Sequence, residues 1–206
     1  MAIDYPAKVE IEYPDRKLNR LSSFFRIFYA IPIMIIFYLL LGMATGWGED
    51  GWNASYSVGG ILVIPTILML LFRKKYPRWW FDWNFNITKF SFRVSAYLSL
   101  LTDIYPSTDE DQTVHVDISY PDAQKLSRGL PIIKWFLAIP HYIILFFLGI
   151  AEFVVVIIAW FAILFTGRFP RSLFDFVVGV YRWYLRVAAY ALLLVTDKYP
   201  PFSLDP

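Results

Sequence analysis

The chain has 206 residues, of which 58% are hydrophobic and 20% aromatic, while only 17% are charged. Soluble domains are about 25% charged, so this composition favours an integral membrane protein. The formal net charge of +2 is too small to suggest a nucleic-acid partner. The sequence contains no cysteine, which excludes disulfide bonds and thiolate sites.

The first predicted element is a short β-strand over residues 7–13, where apolar and polar residues alternate. Residues 113–119 alternate in the same way, and a Tyr-Pro-Asp turn follows both segments, at Tyr13 and at Tyr120. A lone two-stranded ribbon is only marginally stable in water. We therefore expect the two strands to pair outside the bilayer and to rest on the helices or on a partner.

Hydrophobic segments follow each predicted strand. In the first half they form two helices, at about residues 24–44 and 58–72, which are joined by an acidic loop rich in tryptophan. In the second half, residues 131–165 form one apolar stretch. A straight helix of that length would exceed a hydrocarbon core of about 30 Å at about 1.5 Å per residue. We therefore predict a second helical hairpin that turns near Gly149 and Glu152.

The third segment of each half, residues 81–101 and 174–195, is predicted to be an amphipathic helix with charged and aromatic residues on one face. Such a helix lies in the membrane interface, where its cations snorkel, or packs its polar face on protein. Its arginines could hold lipid phosphates, or the face could dock on a partner. The residues expected to contact lipid headgroups or a partner are Asp82, Lys89, Arg93, Tyr97, Asp175, Arg182, Arg186 and Tyr190.

Landmarks of the first half return in the same order in the second half, which predicts a tandem duplication with units 1–107 and 108–206. We expect a mainly α membrane protein in which each unit has a short β-strand, a transmembrane helical hairpin and an amphipathic interfacial helix. The recurring landmarks include Tyr13-Pro14-Asp15 with Tyr120-Pro121-Asp122, Ala30-Ile31-Pro32 with Ala138-Ile139-Pro140, and Thr102-Asp103 with Thr196-Asp197.

Charge distribution predicts the topology of these hairpins. Basic residues flank both hairpins on one side, whereas the loops expected on the far side carry Glu49, Asp50 and Glu152 and no lysine or arginine. The positive-inside rule then gives four spans, two in-plane helices and both termini in the cytoplasm. The expected location is the inner (cytoplasmic) membrane of a cell, with a multi-pass topology.

Few residues suggest site chemistry. His115 and His141 are the only histidines, too few for an ordinary metal centre, and we expect no metal or other cofactor. Glu152 is the one acid in the longest apolar stretch, so it is either solvated at the predicted turn or part of an ion pathway. The sequence contains no catalytic triad order, phosphate-binding glycine loop or HExxH motif, so we do not expect an enzyme.

The second half carries three motifs, which are Ala138-Ile139-Pro140-His141, the segment 160–170 and the segment 196–202. In these motifs the chain resembles a family of uncharacterised prokaryotic membrane proteins, catalogued as domain of unknown function 4389. The first half looks like a diverged copy, in which Arg73-Lys74-Lys75 replaces Thr166-Gly167-Arg168. The resemblance implies a bacterial or archaeal membrane location, and it brings no established activity and no ligand-binding residues.

Three functional hypotheses follow from these observations. The first is a non-enzymatic accessory or scaffold subunit that packs on other membrane protein subunits or on a second copy of itself. The second is a lipid-binding or lipid-handling protein that uses the arginine-bearing amphipathic helices. The third is a small transporter or channel, for which Glu152 and the prolines within the apolar segments are the only support.

Overall fold

The computed structural model describes residues 5–40, 46–48, 51–53 and 58–206, with side chains over 5–37 and 63–206. Much of the acidic loop, with Glu49 and Asp50, lies outside the described residues. The strands are β1 Ala7–Ile11, β2 Gly46–Gly48, β3 Gly51–Asn53 and β4 Val114–Ile118. The helices are α1 Arg20–Phe24, α2 Arg26–Leu40, α3 Val58–Leu68 with a π-turn Met69–Arg73, α4 Arg78–Leu98, α5 Leu130–Leu137, α6 Ile139–Thr166 and α7 Arg171–Ala191.

Strands β1 and β4 pair antiparallel, with Val9 opposite Val116, which confirms the predicted pairing of the two alternating segments. Both strands alternate between buried and exposed residues. Their apolar side chains form one buried face of the sheet, while Lys8, Glu10 and Asp117 lie on the other face, in solvent. A second, smaller ribbon pairs β2 with β3.

Helices α4 and α7 cover the buried face of the β1–β4 sheet, with β1 packing on α7 and β4 on α4. The shared core includes Val9 and Val116 from the sheet and Phe92 and Leu185 from the two helices. Each helix begins directly after a proline, Pro77 or Pro170. Proline disrupts the interior of a helix but is tolerated at its start.

Helix α6 runs antiparallel along the side of α7 that faces away from the sheet. Near its beginning, Leu145 shares a buried cluster with Val187 and Tyr190. Near its end, Ile163 shares the main core with Phe174. The protein therefore has three layers, with the sheet on one side, α4 and α7 in the middle and α6 on the other side.

The predicted hairpin in residues 131–165 is wrong, because α6 is one continuous helix of 28 residues. Glu152 is a good helix former, and its carboxylate accepts a hydrogen bond from Ser99 instead of requiring solvent at a turn. A single glycine, Gly149, costs a helix only about 1 kcal/mol. The chain breaks instead at Ala138, between α5 and α6, just before Pro140, which has no N–H to donate.

In the first half, α2 and α3 contact opposite ends of α4. Phe37 of α2 lies against Phe90, and Thr66 of α3 accepts a hydrogen bond from the indole of Trp80 in the first turn of α4. The two helices thus follow α4 in the way that α6 follows α7. Among the described residues, α6 is the one helix that is long and apolar enough to cross a bilayer, and the apolar segments Arg26–Phe37 and Val63–Arg73 are shorter.

Candidate functional site

Asp82 and Asp175, the first residues of the predicted polar faces, lie exposed at the start of α4 and α7. Each forms an ion pair with the arginine one turn earlier, Arg78 or Arg171, with 3.2 Å between the arginine Nε and the carboxylate Oδ1. Exposed pairs of this kind contribute about 0–1 kcal/mol. Both aspartates are therefore engaged in local pairs at the surface and lie away from the buried arginines of the same helices.

Arg93 and Arg186 are buried, with 2% and 3% of their surfaces exposed. Arg93 donates to the backbone oxygens of Ser107 and Glu110 at 2.6 and 2.7 Å. Burial lowers the pKa of both guanidinium groups from its ordinary value, but they remain cations, because that value lies far above neutral pH.

Arg186 repeats this arrangement at the end of α7. It donates to the backbone oxygen of Asp205 at 3.1 Å and to that of Ser203. Each arginine thus ties its helix to the segment that follows it. This arrangement does not favour the expected role of Arg93 and Arg186 as ligands of lipid phosphates.

The two tyrosines of the predicted set, Tyr97 and Tyr190, are buried beside a cation. The guanidinium of Arg26 lies 4.2 Å from the ring centre of Tyr97, and the ammonium of Lys134 lies 5.1 Å from that of Tyr190. Desolvation by burial is the main reason that the pKa of each tyrosine hydroxyl is raised. Both tyrosines therefore stay neutral and act in packing.

Lys89 and Arg182 complete the predicted set, and both are half-buried. Arg182 lines a small cleft of about 80 Å³ beside β1. Tyr5 and Arg186 line the same cleft. The structure therefore brings Arg182 near Arg186 but does not gather the eight predicted residues into one site.

Two residues that the sequence analysis did not select, Arg26 and Lys134, form buried ion pairs. Arg26 bonds to Asp103 at 2.5 Å, and Lys134 bonds to Asp197 at 2.8 Å. Their spacing from Ala30 and Ala138 is the same, four residues, in the two recurring segments. That shared position in otherwise apolar runs was the signal available in the sequence.

A cavity of about 760 Å³ lies between the start of α2, the end of α4 and the second half of α6. Its apolar wall includes Ile27, Leu98, Val156 and Phe161. Phe24 and Trp160 form another part of the wall and stack with ring centres 5.9 Å apart. This volume falls within the range of about 300–1,000 Å³ that is typical of small-molecule sites.

Glu152 stands in the wall of this cavity, about midway along α6. Its carboxylate accepts a hydrogen bond from the Ser99 hydroxyl at 3.3 Å, and that hydroxyl lies 2.8 Å from the hydroxyl of Tyr181. Tyr181 also hydrogen-bonds to the Glu152 carboxylate, so its hydroxyl is a second donor to Glu152. Burial, and then the nearby carboxylate, raise the pKa of Tyr181, which keeps this donor protonated.

A second cavity, of about 570 Å³, lies on the other side of the same polar cluster. Glu152, Ser99 and Leu98 line both cavities. Further along, the second cavity is lined by Phe37 from α2 and Tyr184 from α7. The Glu152–Ser99 contact therefore separates two largely apolar spaces within the helical layers.

Two buried polar atoms belong to residues that line the larger cavity. The hydroxyl of Ser23 and the Nε of Arg26 have no hydrogen-bond partner among the described residues. Ser23 is fully buried, and it precedes Phe24 in the chain. A buried polar group without a partner costs about 1–3 kcal/mol, and neither atom has surface that a molecule in the cavity could reach.

His141 is fully buried in an aromatic cage rather than in a ligand cluster. Its Nδ1 accepts a hydrogen bond from the Trp183 indole at 3.0 Å, and its ring stacks on Phe202. His115 is exposed on the sheet and pairs with Glu12 at 2.9 Å. Over the described part of the chain, no three histidines, aspartates or glutamates gather as a metal site would require.

Comparisons with known proteins bear on the second half of the chain. No curated protein and no solved structure matches the chain. A single family match extends from the first turn of α5 to the tail after α7, and it includes Lys134, His141, Glu152 and Arg186. Residues 131–203 match the family described as Domain of unknown function (DUF4389), which confirms the resemblance for this part of the chain.

Proposed function

We propose that this chain is a non-enzymatic membrane protein that serves as an accessory or scaffold subunit of a larger membrane complex. The observation that carries the proposal is the exposure of α6, since only 6% of its most apolar 18-residue window is buried within the protein. Contiguous exposed apolar surface of this kind marks a membrane or protein contact. Large exposed side chains along α6 include Ile143, Phe146, Phe147, Ile150, Phe153, Val154, Ile158, Phe161 and Phe165.

The apolar surface extends beyond α6 to the helices that begin each half. Ile27 and Phe28 at the start of α2 and Phe136 in α5 are each more than half exposed. The opposite side of the protein carries the charged face of the sheet, with Lys8, Glu10 and Asp117. We infer that the helical side contacts lipid tails or partner helices while the sheet stays in water.

The layer order also favours a particular way of embedding. Helix α6 follows α7 along its length, and the sheet covers the other side of α7. If α6 crossed the bilayer upright, the charged sheet would be carried to the same depth, where charges are costly. We therefore propose that α6 lies along the membrane-facing side of the protein, in place of the four upright spans expected from the sequence.

We further propose that the chain is a tandem duplication with units 1–107 and 108–206. Matching contacts in the two halves support this. The Tyr13 hydroxyl donates to the backbone oxygen of Phe169, and the Tyr120 hydroxyl donates to that of Tyr76. Leu100 and Leu194, which follow α4 and α7, both have a positive φ, of 63° and 57°. The second half alone carries the family match, so divergence of the first copy is part of the proposal.

The proposed location is the cytoplasmic membrane of a prokaryote, with both termini in the cytoplasm. Two basic residues of the first half bond to backbone oxygens of the second half that lie close in the chain to Arg168 and Lys125, which supports a single cytoplasmic side. Arg20 donates to the backbone oxygen of Phe165, and Lys74 donates to that of Gln124. Anionic headgroups would be attracted to both places.

The test is native mass spectrometry of the protein after gentle detergent extraction from its source membrane. A stoichiometric protein partner, or a defined homo-oligomer, is the expected result. The control is a variant with Phe146, Phe153 and Phe161 replaced by glutamine, which should lose the partner while keeping the sheet. Recovery of a monodisperse monomer without any co-purifying protein would overturn the scaffold proposal. Recovery in the soluble fraction would overturn the membrane location.

A further inference from the structure

A cleft of about 650 Å³ lies between the segment that joins the π-turn to α4 and the turn that follows β4. Three cations line it, Lys74, Lys75 and Arg78, whereas Asp122 is the one carboxylate among the lining residues. Asp122 already pairs with Lys125 at 3.5 Å. The cleft therefore presents an excess of positive charge at the surface.

The cations of this cleft keep hydrogen-bond donors to spare. Lys74 donates to the backbone oxygen of Gln124 at 3.1 Å, and an ammonium group has three N–H donors in all. Arg78 meets Asp82 through its Nε, which leaves the terminal N–H groups of the guanidinium. Lys75 is exposed and has no ion pair with any residue that the structure describes. An anion in the cleft would meet all three side chains.

The backbone at Lys74 adopts a conformation that favours glycine. Lys74 has a φ of 46°, and Gly167, at the corresponding point between α6 and α7, has a φ of 75°. A residue with a side chain is less stable than glycine in this region. A lysine held there beside an open cleft indicates a role in binding.

The corresponding space in the second half is filled. The stem of Lys17 packs on Gly167, with its Cβ 3.5 Å from the point where a Cβ of Gly167 would lie. Lys125, the counterpart of Lys17 in the recurring landmarks, instead has 85% of its side chain exposed beside Asp122. The space beside Lys74 therefore stays open.

An exposed apolar stripe leads to the cleft. Ile64, Leu68 and Phe72 lie four residues apart on α3 and the π-turn, and they are 54%, 47% and 73% exposed. Trp79, in the first turn of α4, is 68% exposed, and tryptophan favours the membrane interface. In the membrane location proposed above, the stripe lies among acyl chains, so the basic segment that follows it lies at the depth of the headgroup phosphates.

We propose that this cleft binds the headgroup phosphate of an anionic phospholipid from the surrounding membrane. The phosphate accepts charge-assisted hydrogen bonds from Lys74, Lys75 and Arg78, and the acyl chains follow Phe72 and the rest of the stripe. A lipid is favoured over a soluble phosphate because exposed apolar side chains border the cations. The inference rests on the membrane location proposed above, to which it adds a ligand class and a site separate from the buried arginines of α4 and α7.

The test is native mass spectrometry of the purified full chain in detergent, titrated with phosphatidylglycerol or with phosphatidylcholine of the same acyl chains. We expect saturable binding of phosphatidylglycerol at concentrations at which phosphatidylcholine does not bind. Inorganic phosphate, added as a competitor, should leave the bound phosphatidylglycerol in place.

Two single variants locate the site. Lys75→Gln should weaken phosphatidylglycerol binding roughly fivefold, the usual contribution of one cation at an anionic lipid surface. Lys74→Gly should weaken binding by a similar factor without lowering the unfolding temperature, because glycine suits the positive φ. A loss of binding in a protein of unchanged stability does not come from misfolding. Lys8→Gln is the matched control, because Lys8 lies exposed on the solvent face of the sheet and should bind the lipid as wild type does.

Equal weakening by Lys75→Gln and Lys8→Gln would reveal a general effect of charge and would overturn the site. Equal affinity for phosphatidylcholine, or displacement of the lipid by inorganic phosphate, would overturn an anionic phospholipid as the occupant. The presence or absence of a protein partner does not enter this readout. The cleft proposal and the scaffold proposal can therefore fail separately.

Discussion

The ammonium group of Lys134 is fully buried and lies 2.8 Å from a carboxylate oxygen of Asp197. It also donates to the backbone oxygen of Thr196 at 2.7 Å. The second oxygen of Asp197 accepts from the backbone N–H of Ser127, also at 2.7 Å. This pair therefore fastens α5 and the turn before it to the end of α7.

Replacing Asp197 by Asn should destabilise the protein by about 3–5 kcal/mol, because it leaves the Lys134 ammonium buried without a counter-charge. The double variant Lys134→Met with Asp197→Asn should recover most of this loss. The free energy of unfolding of each variant would be measured in detergent by tryptophan fluorescence. Lys125→Met is the control, since Lys125 pairs with Asp122 at the surface and should change stability by about 0–1 kcal/mol. An Asp197→Asn protein as stable as wild type would contradict the prediction.

The carboxyl group of Asp197 should also make the stability of the protein depend on pH in the acid range. Burial opposes ionisation of Asp197, but hydrogen bonds from Lys134 and the Ser127 N–H outweigh it and hold its pKa below the ordinary value of 3.8. A group with a depressed pKa binds fewer protons in the folded state, so its stabilisation is lost as the pH falls through the folded pKa. The gap in unfolding temperature between wild type and Asp197→Asn should narrow below about pH 4. A gap that stays constant down to about pH 2 would contradict this.

Replacing Arg186 by Ala should release the C-terminal tail. The two hydrogen bonds from Arg186 to the backbone of Ser203 and Asp205 are charge-assisted, and each contributes about 1.5–3 kcal/mol. We expect carboxypeptidase to trim the variant faster than the wild-type protein, without a change in the amount of bound phospholipid. Arg171→Ala, at an exposed arginine, should be trimmed at the wild-type rate. Loss of phospholipid from Arg186→Ala alone would instead support the headgroup role.

Two glycines in long helices should respond oppositely to alanine. At Gly179 of α7, a Cβ would lie 2.9 Å from the Cβ of Leu204 and 3.0 Å from its backbone oxygen, so the tail must shift. Overpacking of this kind costs about 1–3 kcal/mol. At Gly149 of α6 the space is open, and alanine should stabilise the helix by about 0.5–1 kcal/mol. Unfolding curves of the two single variants would test the pair, and equal shifts would contradict it.

Local sequence patterns predicted much of this fold. Alternation at residues 7–13 and 113–119 identified β1 and β4, and the presence of one such strand in each half led to the expectation that they pair. The amphipathic third segments are helices α4 and α7, which begin three residues earlier than predicted. These features follow from side-chain period and turn residues, which are local properties of the chain.

The continuity of α6 was not predictable from the same patterns. An apolar stretch with a glutamate at its middle fits a hairpin and a single helix equally well. What decides between them is the hydroxyl pair of Ser99 and Tyr181 around Glu152, and these residues come from distant parts of the chain. The buried partners of Arg93 and Arg186 are backbone oxygens of later loops, which residue type cannot indicate.

The pairing of β1 with β4 sets an order of events during synthesis. Glu12 and His115, which meet across the sheet, are 103 residues apart. At about 5–20 residues per second, β1 leaves the ribosome roughly 5–20 s before its partner strand. The apolar helices of the first half emerge within that interval. In the membrane location proposed above, they would reach the bilayer before the β1–β4 sheet has formed, and the second half completes that sheet.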